Sequence, residues 1–176
     1  TWMEVDLDAI AENVRVTKEI CGKEYIAVLK ADAYGCGDQQ VSNAVLEAGA
    51  DMLAVSSLDE ALMLRNEGYN GRILILGAVD ASEAEILIEN HISTAGYSKA
   101  WVDAVTANNC TGLQVHLAVD TGMNRIGFKD NASLREAFDS LKNAGCIMEG
   151  IFTHFCCSDN PDHLMTNQQF EKFASA

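Results

Sequence analysis

Six short runs of apolar, often β-branched residues recur along the chain and predict β-strands. They are Tyr25–Lys30, Met52–Ser56, Arg72–Leu76, Ile92–Ala95, Leu113–Val119 and Ile147–Phe152. Several runs are apolar at every position rather than at alternate ones, which is typical of parallel strands that are covered on both faces.

Helical patterns with recognisable ends lie between these strands. We expect Asp8 to cap the first helix, with Val14 and Ile20 on its buried face. The segments Ser57–Glu60 and Ser133–Glu136 both have the spacing of a capping box at the start of a helix. Further helices are predicted after Asp38, Asp80 and Ser98.

Strands that alternate with helices in this way predict an α/β fold with a parallel sheet and right-handed crossovers. The pattern suits an open doubly wound sheet as well as a closed barrel. A TIM-type (β/α)8 barrel has eight strands and about 250 residues, so a chain of 176 residues matches about six of its eight units. The last helical pattern, Gln168–Ala174, has no capping residue after it. We therefore expect residues 1–176 to form one partial barrel domain.

The charge composition narrows the class of function. The chain has 12 lysines and arginines against 26 aspartates and glutamates, a formal net charge of −14. Such an acidic surface repels phosphate backbones and anionic lipids, so we expect neither nucleic acid nor a membrane surface as a partner. No apolar run approaches the ~18 residues that a membrane span needs.

The cysteines and histidines lack the spacing of a metal site. The six cysteines include no C-x-x-C pair, and the four histidines are not spaced as ligands relative to one another or to the cysteines. We expect no bound metal, and free thiols in a reducing cytosol.

Reactive side chains in β/α folds collect at the carboxyl ends of the strands, where Lys30 and Tyr34 lie. Lys30 follows the apolar run Ile26–Leu29, and Tyr34 lies four residues later in a glycine-bounded turn. Partial burial of an amine favours its neutral, nucleophilic form, which imine formation with an aldehyde cofactor requires. The alternative is a surface lysine whose stem lies along apolar surface, with Tyr34 as an ordinary turn aromatic.

Two further candidates follow the fifth and sixth strands. Arg125 lies between two glycines, and its fixed guanidinium fork suits a phenolate, carboxylate or phosphate. The alternative for Arg125 is a surface ion pair with one of the many acids. His154 closes the sixth strand, where it could contact a ring or orient an arginine, or be a hydrogen-bonded core histidine.

Together these residues resemble the alanine racemase family. Four blocks occur in the order that the family has: the amino-terminal segment Glu4–Ile10, the lysine segment A-V-L-K-A-D-A-Y-G-C-G at Ala27–Gly37, the arginine segment Ala118–Phe128, and G-I-F-T-H-F at Gly150–Phe155. Because the blocks span nearly the whole chain, the match is highly specific. The resemblance implies an enzyme dependent on pyridoxal 5′-phosphate (PLP), with an eight-stranded β/α barrel followed by a β-rich carboxyl-terminal domain that we expect to be absent here.

The resemblance also implies a role for each candidate. Lys30 would hold PLP as an imine and act as one of two bases. Tyr34 would hydrogen-bond the phosphate, and Leu76 would pack beside the pyridine ring. Arg125 would donate to the phenolic oxygen of the cofactor, and His154 would support the cofactor ring and its neighbouring arginine. The implied reaction converts L-alanine to D-alanine for cell-wall peptidoglycan, with serine as the alternative substrate.

The family's second base is a tyrosine from the carboxyl-terminal domain of the partner subunit in a homodimer. We therefore expect this chain alone to be catalytically incompetent, and its parent to be cytoplasmic or the cytoplasmic domain of a membrane-bound protein. Ala118 stands where the family often has a lysine that orients the arginine, so Arg125 must be positioned otherwise, an anion being one option. Two alternatives remain: a non-catalytic PLP-binding barrel protein of PLP homeostasis, and an acidic α/β binding domain that uses none of these groups.

Overall fold

Parallel strands, each followed by a helix, form the framework of the computed structural model, which describes residues 2–176. The strands are β1 (Ile26–Val28), β2 (Met52–Val55), β3 (Ile73–Ile75), β4 (Ile92–Gly96), β5 (Gln114–Ala118) and β6 (Ile147–Phe152). All six predicted strands are confirmed, and their ends differ from the prediction by at most two residues. The α/β class with a parallel sheet is confirmed as well.

The helices between the strands are α1 (Leu7–Cys21), α2 (Asp38–Glu47), α3 (Leu58–Asn66), α4 (Ala84–Glu89), α5 (Lys99–Thr106), α6 (Asn131–Asn143) and α7 (Leu164–Ala174). A 3-10 turn at Ala81–Glu83 leads into α4. None of the helices within residues 2–176 combines the length and the apolar composition needed to cross a bilayer.

The residues separate into two compact units. The first runs up to Gly77 and includes Asn90–Ile92; the second comprises Ala78–Glu89 and Ser93–Ala176. In the first unit β2 lies between β1 and β3, paired through Ala27↔Leu53 and Ala54↔Leu74. Every residue of β2 is buried, as expected for a central strand covered on both faces.

In the second unit β5 lies between β4 and β6 and is parallel to both. The register between β5 and β6 shifts between Val115 and His116. Beside this shift the Glu149 carboxylate accepts hydrogen bonds from the Ser93 hydroxyl and from Nε2 of Gln114 at 2.9 Å, and lies 3.2 Å from Nε2 of His116. His116 therefore belongs to this polar cluster within the strands.

The starts of two helices differ from the expectation. Asp6 caps α1, because its side chain accepts a hydrogen bond from the Ala9 amide at 3.0 Å, and Asp8 lies in the first turn instead. Ile20 is 79% exposed, since it lies six residues after the buried Val14 and therefore on another face of a helix with 3.6 residues per turn.

The capping box at Ser57 is confirmed, but the one at Ser133 is wrong. The Ser57 hydroxyl accepts from the Glu60 amide at the start of α3. Helix α6 begins three residues earlier than predicted, because Asp130 is its cap and accepts from the Ser133 amide at 2.9 Å. An aspartate is as good a cap as a serine, and here the earlier of the two occupies the position.

Candidate functional site

Lys30 lies just beyond β1 in the first unit. The Leu29 amide donates to the Ala54 carbonyl at 2.8 Å, which extends the strand pairing to the residue before the lysine. The Lys30 side chain is half-buried, and its amine lies 5.8 Å from the centre of the Tyr34 ring. None of the ion pairs among residues 2–176 involves Lys30. The amine is therefore not committed to a carboxylate.

A left-handed turn (Lys30–Gly35) follows the strand. Ala31, Asp32, Ala33 and Tyr34 have φ values of 55°, 55°, 50° and 58°, and none of them is glycine. Left-handed backbone costs a residue with a Cβ roughly 1–2 kcal/mol. Four such residues in succession persist only where the surroundings hold them, and strain of this kind concentrates at functional sites. The sequence predicted a glycine-bounded turn here, but not the left-handed conformation of its non-glycine residues.

Hydrogen bonds hold the turn at both ends. At its end the Gly37 amide donates to the Asp32 carbonyl at 3.0 Å, and the Asp38 amide donates to Oδ1 of Asp32 at 2.8 Å. At its start the Ala31 amide donates to Oε1 of Glu60 at 2.8 Å. Burial by itself would raise the pKa of the Glu60 carboxyl. Hydrogen bonds from the Ala31 amide and from Ser56 outweigh that effect and hold the pKa below its ordinary value.

Tyr34 and Leu76 complete the candidates of the first unit. Tyr34 is 64% exposed, so its phenol is available to a ligand. Leu76 is half-buried and packs against the cluster formed by Met52, Ala54 and Leu74. A Cβ at Gly77 would collide with the carbonyl oxygen of Ser56, so only glycine fits directly after Leu76.

The Arg125 loop (Asp120–Phe128) follows β5 in the second unit and is organised by its own first residue. Oδ1 of Asp120 accepts from the amides of Gly122 at 3.0 Å and Asn124 at 2.9 Å. Its other oxygen lies 3.8 Å from the amine of Lys129, and the side chain is 3% exposed. The loop closes where the Phe128 amide donates to the Ala118 carbonyl at 2.9 Å.

Arg125 and His154 line the same small cavity, together with Thr121 and Thr153. Arg125 is exposed, and within residues 2–176 its guanidinium forms no ion pair. Ala118 is buried and provides only a methyl group. The loop backbone held by Asp120, rather than a side chain at position 118, therefore positions Arg125.

Gln169 of α7 was not anticipated from the sequence, although it is fully buried and connects this cavity to the helix. Its Nε2 donates to the Thr121 hydroxyl and to the His154 carbonyl, both at 3.0 Å. Its Oε1 accepts from the amide and thiol of Cys156. All four hydrogen-bonding positions of the amide are thus used.

The two threonine hydroxyls extend this network in a defined direction. The Thr153 hydroxyl donates to the Val119 carbonyl at 2.8 Å, so its only hydrogen is used there. The Thr121 hydroxyl must therefore donate to Thr153, 2.8 Å away, while accepting from Gln169. The chain of donors runs from α7 through the start of the Arg125 loop to the end of β5.

The structure thus places the five predicted site residues in two groups. Lys30, Tyr34 and Leu76 lie at the strand ends of the first unit, and Arg125 and His154 lie together in the second. The first group offers an amine outside any ion pair and an accessible phenol, and the second offers a guanidinium outside any ion pair, each within its own unit. No group of three or more histidine, cysteine or acidic side chains within residues 2–176 could hold a metal ion.

Parallel strands with the candidate side chains on the loops that follow them are typical of β/α domains, which include the TIM-type barrel. Residues 5–176 match the family model "Alanine racemase, N-terminal domain". The chain therefore belongs to the family of alanine racemase N-terminal domains.

Comparison with individual proteins agrees with this assignment. Alanine racemase 1 of Bacillus subtilis is 41% identical over 177 residues, which cover 98% of this chain and 46% of that protein. The crystal structure of alanine racemase from Oenococcus oeni matches with a TM-score of 0.90 and 38% identity, covering 98% of this chain and 51% of that one. The structure of histidine racemase from Leuconostoc mesenteroides subsp. sake matches with a TM-score of 0.88 and 34% identity, covering 95% of this chain and 46% of that one. The chain spans about half the length of the curated relatives it matches.

Proposed function

We propose that this chain is the PLP-binding portion of an amino-acid racemase, and that Lys30 is the residue that carries the cofactor. The observation that supports this most is the Lys30 amine itself. It is half-buried after a parallel strand, belongs to no ion pair of the described residues, and begins a turn of four strained residues. A structural lysine needs no such turn, whereas a lysine that must present its amine in one direction does.

The other predicted residues have the chemistry to hold the rest of the cofactor. Tyr34 would donate its phenol hydrogen to the phosphate, and Leu76 would pack against the ring. Arg125 would donate to the phenolic oxygen, and His154 would support the ring. Two of these residues, Lys30 and Arg125, are cations in a chain of net charge −14. Their positive charge favours an anionic ligand at these positions.

When bound, PLP disperses the negative charge that develops at the α-carbon of the substrate. Lys30 Nζ is then suited to take a proton from that carbon, or return one, on one face. Racemisation requires a second base on the opposite face. We infer that this base is supplied from outside residues 1–176 by the partner subunit of a homodimer, as the family resemblance implies, so that the isolated chain binds PLP but does not racemise.

Alanine is the proposed substrate because the most similar curated relatives are alanine racemases. The fold alone does not select it, since a histidine racemase shares the fold. Serine is the nearest alternative because it differs from alanine by one hydroxyl. We further propose that the product is D-alanine for cell-wall peptidoglycan, made in the cytoplasm.

Reduction with borohydride tests the cofactor assignment. The chain is incubated with PLP, reduced and digested, and the pyridoxyl label is located by peptide mapping. We expect the label on Lys30 and its loss in Lys30→Arg, while Lys23→Arg, at another lysine of the same unit, keeps it. Label elsewhere, or none, would overturn the proposal. A separate assay of L-alanine racemisation should find no turnover by the isolated chain, and steady-state turnover would refute the need for a second base from outside it.

A further inference from the structure

We propose that Glu60 is a positioning residue for Lys30: its carboxylate fixes the peptide between Lys30 and Ala31 and so sets the direction of the amine. This inference rests on the proposed function, in which Lys30 carries the cofactor. Glu60 lies in the first turn of α3, 29 residues from the peptide that it holds.

The Glu60 carboxylate joins the segments that follow β1 and β2. Oε1 accepts from the Ala31 amide at 2.8 Å. Oε2 accepts from the Ser56 amide at 2.7 Å and from the Ser56 hydroxyl at 2.9 Å. Because Ser56 directly follows β2, one side chain ties the turn after Lys30 to the end of the neighbouring strand.

An ionised carboxylate suits this arrangement because all of its partners, the Ser57 amide included, are donors. The oxygens of a carboxylate only accept, whereas a glutamine would direct an NH2 group at one of the two amides. The lowered pKa of the Glu60 carboxyl agrees with a charge stabilised by these hydrogen bonds. None of the ion pairs formed by residues 2–176 includes Glu60. Its negative charge is therefore stabilised by these hydrogen-bond donors and not by a lysine or an arginine.

Glu60 does more than complete the cap of helix α3. In an ordinary capping box the glutamate returns to the amide of the capping residue. The Glu60 carboxylate makes this hydrogen bond with the Ser57 amide and, in addition, accepts from Ser56 and from the Ala31 amide. The contact with Ala31 is therefore additional to the cap, and Ser57 can still accept from the amide of residue 60 when that side chain is changed.

The contact to Ala31 is placed where it determines the turn. Ala31 is the first left-handed residue, and its amide belongs to the peptide that leaves Lys30. Hydrogen bonds through Asp32 hold the end of the turn. At its start the Ala33 amide donates to the Leu29 carbonyl at 2.8 Å, and the Glu60 carboxylate adds a restraint directly at the Lys30–Ala31 peptide. Without Glu60, this peptide loses that restraint and is freer to rotate.

The test compares Glu60→Gln with Asp59→Asn. Asp59 is the exposed neighbour in the same turn of α3, so both variants lose one negative charge there. The first readout is hydrogen exchange of the Ala31 amide, and the second is the initial rate of borohydride-trapped PLP label on Lys30. For Glu60→Gln we expect at least tenfold faster exchange at Ala31 and at least fivefold slower labelling of Lys30. Asp59→Asn should stay within twofold of wild type in both.

Each outcome decides the proposal. Faster exchange at Ala31 with unchanged labelling of Lys30 would overturn the positioning role and leave the proposed function intact. Absence of label from Lys30 in the wild-type chain would refute the proposed function, and the positioning role with it. If Glu60→Gln does not fold, as judged by circular dichroism, Glu60→Asp is measured instead. That variant keeps the charge but is one methylene too short to hold both segments, so the same slower labelling is expected and wild-type labelling would refute the role.

Discussion

The left-handed turn after Lys30 and the Arg125 loop both present a cation after a parallel strand, but they are held in different ways. The turn has four consecutive non-glycine residues at positive φ, and a carboxylate 29 residues away holds its start. The Arg125 loop uses Gly122, Asn124 and Gly127 for its positive φ values, and its own Asp120 accepts from its amides.

The difference lies in which residue fixes the amides next to the cation. The Arg125 loop is tied to other segments as well, because its Gly127 amide donates to the Tyr97 carbonyl at 3.0 Å and its Thr121 hydroxyl accepts from Gln169. Two of its amides are nevertheless held by Asp120, a residue of the loop itself. A strained turn that is held from elsewhere keeps its conformation only while the neighbouring strand and helix are in place. We therefore expect substitutions in the Arg125 loop to affect mainly stability, and substitutions around Lys30 to affect mainly the direction of the amine.

The largest effect is expected for Gly127→Ala. Gly127 has φ +113°, and an added Cβ would lie 2.8 Å from both the Ala118 carbonyl oxygen and the Asp120 amide nitrogen. Backbone strain and overlap together should cost about 3 kcal/mol of unfolding free energy, measured by urea denaturation. Gly122→Ala is the control, since φ is also positive there but the nearest atom is 3.9 Å away. Equal losses in the two variants would contradict the importance of the close contact.

Asp120→Ala should cost about 2 kcal/mol, because it removes a buried acceptor from two amides and the partner of Lys129. Asp130→Ala, which removes an exposed helix cap, should cost only about 1 kcal/mol. Urea denaturation of both variants measures the difference. A loss no greater than that of Asp130→Ala would show that Asp120 does not organise the loop.

A smaller and pH-dependent effect is expected at Glu60. Its folded-state pKa is lowered from the ordinary value of 4.5, mainly because hydrogen bonds from Ala31 and Ser56 outweigh the effect of burial. A carboxyl with a lowered pKa contributes stability above its unfolded pKa, and this contribution is lost as the pH falls through the folded value. The difference in unfolding free energy between wild type and Glu60→Gln should therefore be constant above about pH 6 and shrink below pH 4.5. A difference that grows on acidification would contradict this assignment.

The smallest effect should have the opposite sign. Ala31→Gly relieves a left-handed residue of its Cβ and should raise the unfolding free energy by about 1 kcal/mol. The matched control is Ala104→Gly, exposed in the interior of the right-handed helix α5, which should lose about 1 kcal/mol. Thermal or urea unfolding of both variants checks the signs, and a loss of stability in Ala31→Gly would show that the turn is not strained.

Features that depend on neighbours in the sequence could be predicted. The strands follow from their apolar runs, and the placement of Lys30 after β1 follows from the run that precedes it. The glycines at 122 and 127 indicated a tight loop around Arg125, which the structure confirms.

Features that depend on distant residues could not be predicted. The nearby glycines predicted a turn around Tyr34, but they did not indicate that its four left-handed positions are occupied by non-glycine residues. Glu60 lies three residues after Ser57, which is the spacing of a capping box, so the sequence predicts only a contact within its own helix and not the hydrogen bond with Ala31. Asp130 rather than Ser133 caps α6 because two good capping residues compete within one turn, and the sequence does not rank them. Gln169 resembles any polar residue of a surface helix until its burial is known.

The side-chain amide of Gln169, whose four hydrogen-bonding positions are all used, determines how α7 packs against the Arg125 loop and the segment that carries His154. A slip of the helix by one turn would bring Met165 or Phe173 to that place, and neither side chain can donate to Thr121 or to the His154 carbonyl. Because hydrogen bonds are directional, those of Gln169 select one position of α7 along its axis. Apolar contacts alone would allow several positions. The hydrogen bond to the His154 carbonyl consequently fixes the segment that carries His154 relative to α7.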